Sequence, residues 1–192
     1  EDALNAARQL KNRQYEGIHL GNLGLAYADL GETRKAIEYY EQHAKIAREI
    51  GDRRGEGAAL GNLGLAYADL GETRKAIEFY EQWLKIVLDI GDRRGEGQAL
   101  GNLGLAYADL GETRKAIEYY EQQLKITREI GDRRGEGNAL WNTSLAFDKL
   151  NERKKAIEYA EVALKIYEAI EDPTAEMVRK QLARWKGSST DR

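Results

Sequence analysis

A chain of 192 residues with a formal charge of −3, 33% charged residues and no cysteine excludes disulfides and thiolate metal sites. Its charge balance gives nucleic acid no general reason to bind, no apolar run reaches the roughly 20 residues of a membrane span, and no signal-peptide pattern opens it. The expectation is a helix-rich, cytoplasmic protein with no cofactor and neither membrane nor nucleic acid as a partner.

Residues Glu1 to Leu10 align with Glu41 to Ile50, so the chain opens on the second helix of a broken repeat, as expected of a fragment or a processed chain. From Gly21 the same segment recurs almost letter for letter at Gly61 and Gly101, a period of 40 residues. A unit of that size cannot enclose its own core and must bury its apolar faces against copies of itself. Within one repeat, Asp52 is placed to cap a helix from Arg53 to Leu70 whose apolar side carries Leu60, Leu63, Tyr67 and Leu70. Gly71 stops it, and a second helix runs from Thr73 to Ile90 with Ala76, Tyr80, Leu84, Val87 and Ile90 on one stripe. From Trp141 the pattern decays, as a terminal repeat should, and Asp172-Pro173 starts a further helix from Thr174 to Trp185 that caps the array.

The residues Leu63-Gly64, Tyr67, Gly71, Ala76 and Tyr80 recur at Leu23-Gly24, Tyr27, Gly31, Ala36 and Tyr40, and at Leu103-Gly104, Tyr107, Gly111, Ala116 and Tyr120. This pattern resembles the tetratricopeptide repeat. Standard members have a period of about 34 residues. The longer form here, with its GDRRGEG connector and Asn-Leu-Gly triplet, is similar to the repeats of the spindle adaptor Pins and of bacterial signalling members. The resemblance implies an all-α, right-handed superhelical solenoid of antiparallel helix pairs. Its expected organisation is one solenoid over 1–186: a partial repeat and first helix over 1–20, repeats over 21–60, 61–100, 101–140 and 141–172, and a capping helix over 173–186, with a disordered tail over 187–192. Within the second repeat, Gly64 is expected to let the paired helix approach closely and Gly61 to leave the inner surface bare.

In such arrays the first helices line a concave groove, and the groove-facing series here is Arg54, Ala58, Asn62, Leu65 and Asp69, with Leu105 matching Leu65. Asn22, Asn62, Asn102 and Asn142 then form a ladder of amides able to donate to and accept from a peptide backbone, as similarly placed asparagines do in families of this pattern. Arg54, Arg94 and Arg134 add a basic row for acidic side chains. The alternative is that these are polar residues on a solvated face. Only Ile18, Ala58, Gln98, Asn138 and Trp141 vary along the groove. Trp141 either stacks on a ligand or closes the last repeat.

The second helix of the second repeat departs from its neighbours. Phe79, Trp83 and Val87 stand at i, i+4 and i+8 where the neighbours carry Tyr39, His43, Ala47 and Tyr119, Gln123, Thr127, and Leu88 stands where they carry Arg48 and Arg128. One explanation is repacking, with Trp83 filling space left by Ala44. The other is an exposed apolar patch for self-association into a symmetric homo-oligomer. Uniformity of this degree fits recent duplication, or an engineered scaffold with one rewritten helix.

Enzymatic readings fail. Gly55 to Gly61 misses the dinucleotide fingerprint by one residue and follows no strand. His19 and His43 lack any metal-ligand spacing. Carboxylates such as Glu38 and Glu41 recur in every copy, whereas catalysis is usually built once. The expected function is binding without chemistry, with a peptide or protein segment, a second copy of the chain, or both as partner.

Overall fold

The computed structural model describes residues 2–187, and every regular element among them is a helix. In order these are α1 (Asp2–Gln9), α2 (Arg13–Asp29), α3 (Thr33–Ile50), α4 (Arg53–Asp69), α5 (Thr73–Asp89), α6 (Arg93–Asp109), α7 (Thr113–Glu129), α8 (Arg133–Lys149), α9 (Arg153–Ala169) and α10 (Thr174–Gly187). The chain packs as two compact units, residues 1–95 and 96–192. The tail expected from 187 begins inside α10 at Gly187, and 188–192 lie outside the described residues.

Each boundary has a local cause. The Asp52 carboxylate accepts from the Gly55 N–H at 2.9 Å and the Asp132 carboxylate from the Gly135 N–H at 2.9 Å, which satisfies one orphan donor at the start of α4 and of α8. The second helices start without such a bond. Their first turns are instead closed by Lys35 on Glu32, and by Lys75 on Glu72 at 2.5 Å. Gly71 ends the α4 turn at φ +74°, a left-handed conformation that costs glycine nothing.

In the N-terminal unit, Ala36, Ile37, Tyr40, Leu60, Leu63, Ala66 and Ile86 form one core cluster, with α2 against α3, α3 against α4 and α4 against α5. A smaller cluster of Leu4, Leu20 and Ile46 holds α1. The pairing is antiparallel, since Gly57 faces Ile86, Gly61 faces Trp83 and Gly64 faces Tyr80. In the C-terminal unit a larger cluster runs from Ile117 and Leu124 through Leu140, Trp141 and Tyr167 to Val178, Leu182 and Trp185 on α10.

Three of the junctions between helix pairs also carry a buried carboxylate. Glu16, Glu56 and Glu136 are buried, and each is gripped by two arginines: Arg8 and Arg13, Arg48 and Arg53, Arg128 and Arg133. Burial pushes the Glu16 carboxyl up, but Arg8 and Arg13 together outweigh it and hold it below the ordinary carboxylate value. The outer arginine of each clamp lies eight residues before its glutamate, as in Arg128 Nε to Glu136 Oε1 at 2.9 Å. Arg48 and Arg128 are therefore structural ligands as well as surface charges, and Leu88 is the position in that series with no guanidinium to offer. Replacing Arg128 by leucine is expected to lower stability by about 1 kcal/mol, a modest figure because water screens the arginine's outer side. Urea unfolding checks it, with Arg128→Lys retaining part of the loss.

Candidate peptide-binding face

Spacing of four, four, three and four residues places Arg54, Ala58, Asn62, Leu65 and Asp69 within one narrow arc of α4. The structure leaves this arc uncovered. Arg54, Ala58 and Asp69 are exposed, Leu65 is 48% exposed and Asn62 is half-buried. The matching arc of α2 carries Ile18, Asn22 and Leu25, all exposed, with Leu25 at 47%. Because α2 and α4 touch, the two arcs lie side by side in the N-terminal unit. The side-chain amides of Asn22 and Asn62 have no hydrogen-bond partner among the described residues, and neither Arg54 nor Arg94 has an ion-pair partner there. Leu25 was not singled out from the sequence, although its register with Leu65 one period later was enough to find it.

The C-terminal unit uses the equivalent groups differently. Leu105 is exposed, and Asn102 and Asn142 are half-buried with free amides. Arg134, however, is tied by its Nε to Asp172 Oδ2 at 2.8 Å. The same carboxylate accepts from the Thr174 N–H at 2.9 Å and caps α10. The Thr174 hydrogen bonds first, and Arg134 after them, hold the Asp172 carboxyl below its usual value. Asn138 accepts from the Tyr167 hydroxyl at 2.8 Å. Trp141 does not line the groove. It is 8% exposed and tilted against Trp185 of α10, ring centroids 6.1 Å apart, so it closes the last repeat. The basic row therefore stops at Arg94.

The four-residue apolar patch of α5 is not a surface. Phe79 stacks on Tyr67 at 5.3 Å and an interplanar angle of 4°, just as Tyr39 stacks on Tyr27 and Tyr119 on Tyr107. Val87 is 2% exposed and sits beside Gly95. Trp83 is half-buried, its ring laid against Gly57 and Gly61 of its own pair, and Ala44 is buried on α3. Leu88 alone of the four is open, at 54%. The spacing i, i+4, i+8 marks the face of α5 turned toward the first helices.

Gly61 is thus buried under Trp83 and does not bare the inner surface; the same slot holds His43 over Gly21 and Gln123 over Gly101. The fourth repeat reverses the sizes, with Trp141 on the first helix and Ala163 on the second. A second contact changes in parallel. Gly24, Gly64 and Gly104 lie under Tyr40, Tyr80 and Tyr120, while the fourth copy has Ser144 and the buried Ala160. Ser144 donates to the Trp141 carbonyl at 2.6 Å and Thr143 to the Ala139 carbonyl at 2.8 Å, so both buried hydroxyls are satisfied.

Helix pairs with a ring seated on a glycine, recurring at a 40-residue period, define a helical-repeat protein. The tetratricopeptide repeat model matches residues 15–89 and 95–169, and the chain belongs to that family. A comparison with curated proteins finds no match. Among solved structures, BtubC from P. vanneervenii superposes with a TM-score of 0.75 at 19% identity, over 100% of this chain and 89% of its own. A putative kinesin light chain of P. anserina with nearly identical TPR-like repeats gives 0.74 at 21% identity, over 91% and 87%. A Rap protein complexed with Competence and Sporulation Factor gives 0.76 at 18% identity, over 99% of this chain but 54% of its own. No described helix is long and apolar enough to cross a membrane.

Proposed function

We propose that the chain is a non-enzymatic protein–protein interaction scaffold that holds an extended peptide against the first-helix arcs of α2 and α4. The observation that carries this is the pair of free amides, Asn22 and Asn62, on adjoining arcs beside exposed Leu25 and Leu65. An amide can donate to one backbone carbonyl and accept from one N–H, which fixes a peptide without reading its sequence. The leucines supply apolar contact, and Arg54 and Arg94 favour acidic side chains at one end. The Rap protein solved with its factor supports a binding role for helix pairs of this kind.

The test is a displayed library of random peptides selected on the whole chain. Peptides so obtained are expected to lose about tenfold or more in affinity on Asn22→Ala with Asn62→Ala, with helical circular dichroism unchanged. Arg134→Ala should leave their affinity alone, because that guanidinium is committed to Asp172. Equal binding to the double variant would remove the amides from the site.

A further inference from the structure

The slot between paired helices is filled by Trp83 in one repeat, Gln123 in another and His43 in the first complete pair. His43 is the filler that can gain a charge near neutral pH. Its ring lies on α2, where a Cβ built on Gly17 would meet Cδ2 at 3.5 Å and one built on Gly21 would meet Nδ1 at 2.9 Å. Nδ1 is sealed from solvent and has no hydrogen-bond partner. A neutral imidazole leaves only a bare lone pair there. An imidazolium would put an N–H and a positive charge against two glycines that offer it no acceptor.

The charges around the ring do little to relieve this. Glu16, next to Gly17 on α2, is already held by Arg8 and Arg13. One turn away on α3 the neighbours are Tyr39, Tyr40, Ile46 and Ala47, all uncharged. Asp52, at the start of α4, is the carboxylate that favours the proton, and its Oδ1 is engaged by the Gly55 N–H at 2.9 Å. Burial outweighs it, and the His43 imidazole titrates below its ordinary value.

We propose that His43 is an acid-sensitive latch on the α2–α3 pair, which loosens as the pH falls from neutral toward 5. The sign follows from linkage. A folded-state pKa below that of the unfolded chain gives no pH effect well above the ordinary histidine value of 6.5 and a loss of stability as the pH drops through it, because the unfolded state takes up the proton first. Unpaired carboxylates titrate mainly below this window, and the chain has one other histidine, the half-buried His19. Loosening α2 would disturb the arc that carries Asn22 and Leu25, so the latch couples acid to the proposed binding face.

The experiment is hydrogen exchange of α2 and α3 amides in the full chain at pH 7.5 and 5.5, corrected for intrinsic exchange. The wild type and His19→Gln should open up to about tenfold more readily at pH 5.5. His43→Gln, which places in this slot the residue that Gln123 already supplies elsewhere, should show no such change. A wild type insensitive to pH, or a His43→Gln variant with the wild-type dependence, overturns the latch. Should that variant fail to fold, the imidazole proton resonances of the wild type decide. A His43 midpoint below the ordinary histidine value of about 6.5 supports the latch, and one at or above it refutes it. None of these readouts uses a peptide, so the latch and the binding face stand or fall separately.

Discussion

Gly64→Ala is expected to destabilise the N-terminal unit by about 2 to 3 kcal/mol, although glycine to alanine in a helix ordinarily gains about 1 kcal/mol. A Cβ at Gly64 would lie 2.5 Å from Tyr80 Cδ1 and nearer still to Cε1, and the Tyr80 ring is itself buried, at 2% exposed. The missing methyl is what lets the α5 ring rest on the α4 backbone. Urea unfolding measures the effect, and a double-mutant cycle with Tyr80→Leu identifies its cause. The two losses should fall short of additivity by at least about 1 kcal/mol, since removing the ring also removes the clash. A neutral or stabilising Gly64→Ala would mean that the helices have room to part.

Gly61→Trp should be the most damaging single change, at about 4 kcal/mol or more, and Trp83→Ala should cost about 3 kcal/mol, yet together they should recover most of the loss. The slot has one volume to be filled from either side. In three copies a glycine on the first helix faces His43, Trp83 or Gln123, and in the fourth Trp141 replaces the glycine and Ala163 is buried at full depth. Moving the indole from α5 to α4 copies that solution. Thermal unfolding of the two single variants and the swap tests it, and a swap as unstable as the sum of its parts would show that Trp141 depends on Trp185 rather than on Ala163.

The replacements at positions 141 and 163, and at 144 and 160, occur together in the last copy. That co-change was visible in the letters and names both contacts once it is noticed. Helical spacing was less informative for Phe79, Trp83 and Val87. It places them on one stripe, and it does not say whether that stripe meets water or another helix. Leu88 next to them was read against arginines whose purpose is hidden in a single helix, because Arg48 and Arg128 reach carboxylates across a connector.

The sequence by itself determined the helix pair, its period and its ends. Those follow from short-range physics: Asp52 capping its own first turn, Gly71 taking a positive φ, and apolar residues recurring at the helical period. It also placed Asn62 and Leu65 on one arc, for the same reason. Only the tertiary structure decided which groups on that arc are free. Arg134 and Trp141 carry the same register as their counterparts, but Asp172, which caps α10, and Trp185 within it claim them from tens of residues away. Pairing between distant segments depends on how helices stack, and no local pattern of spacing encodes it.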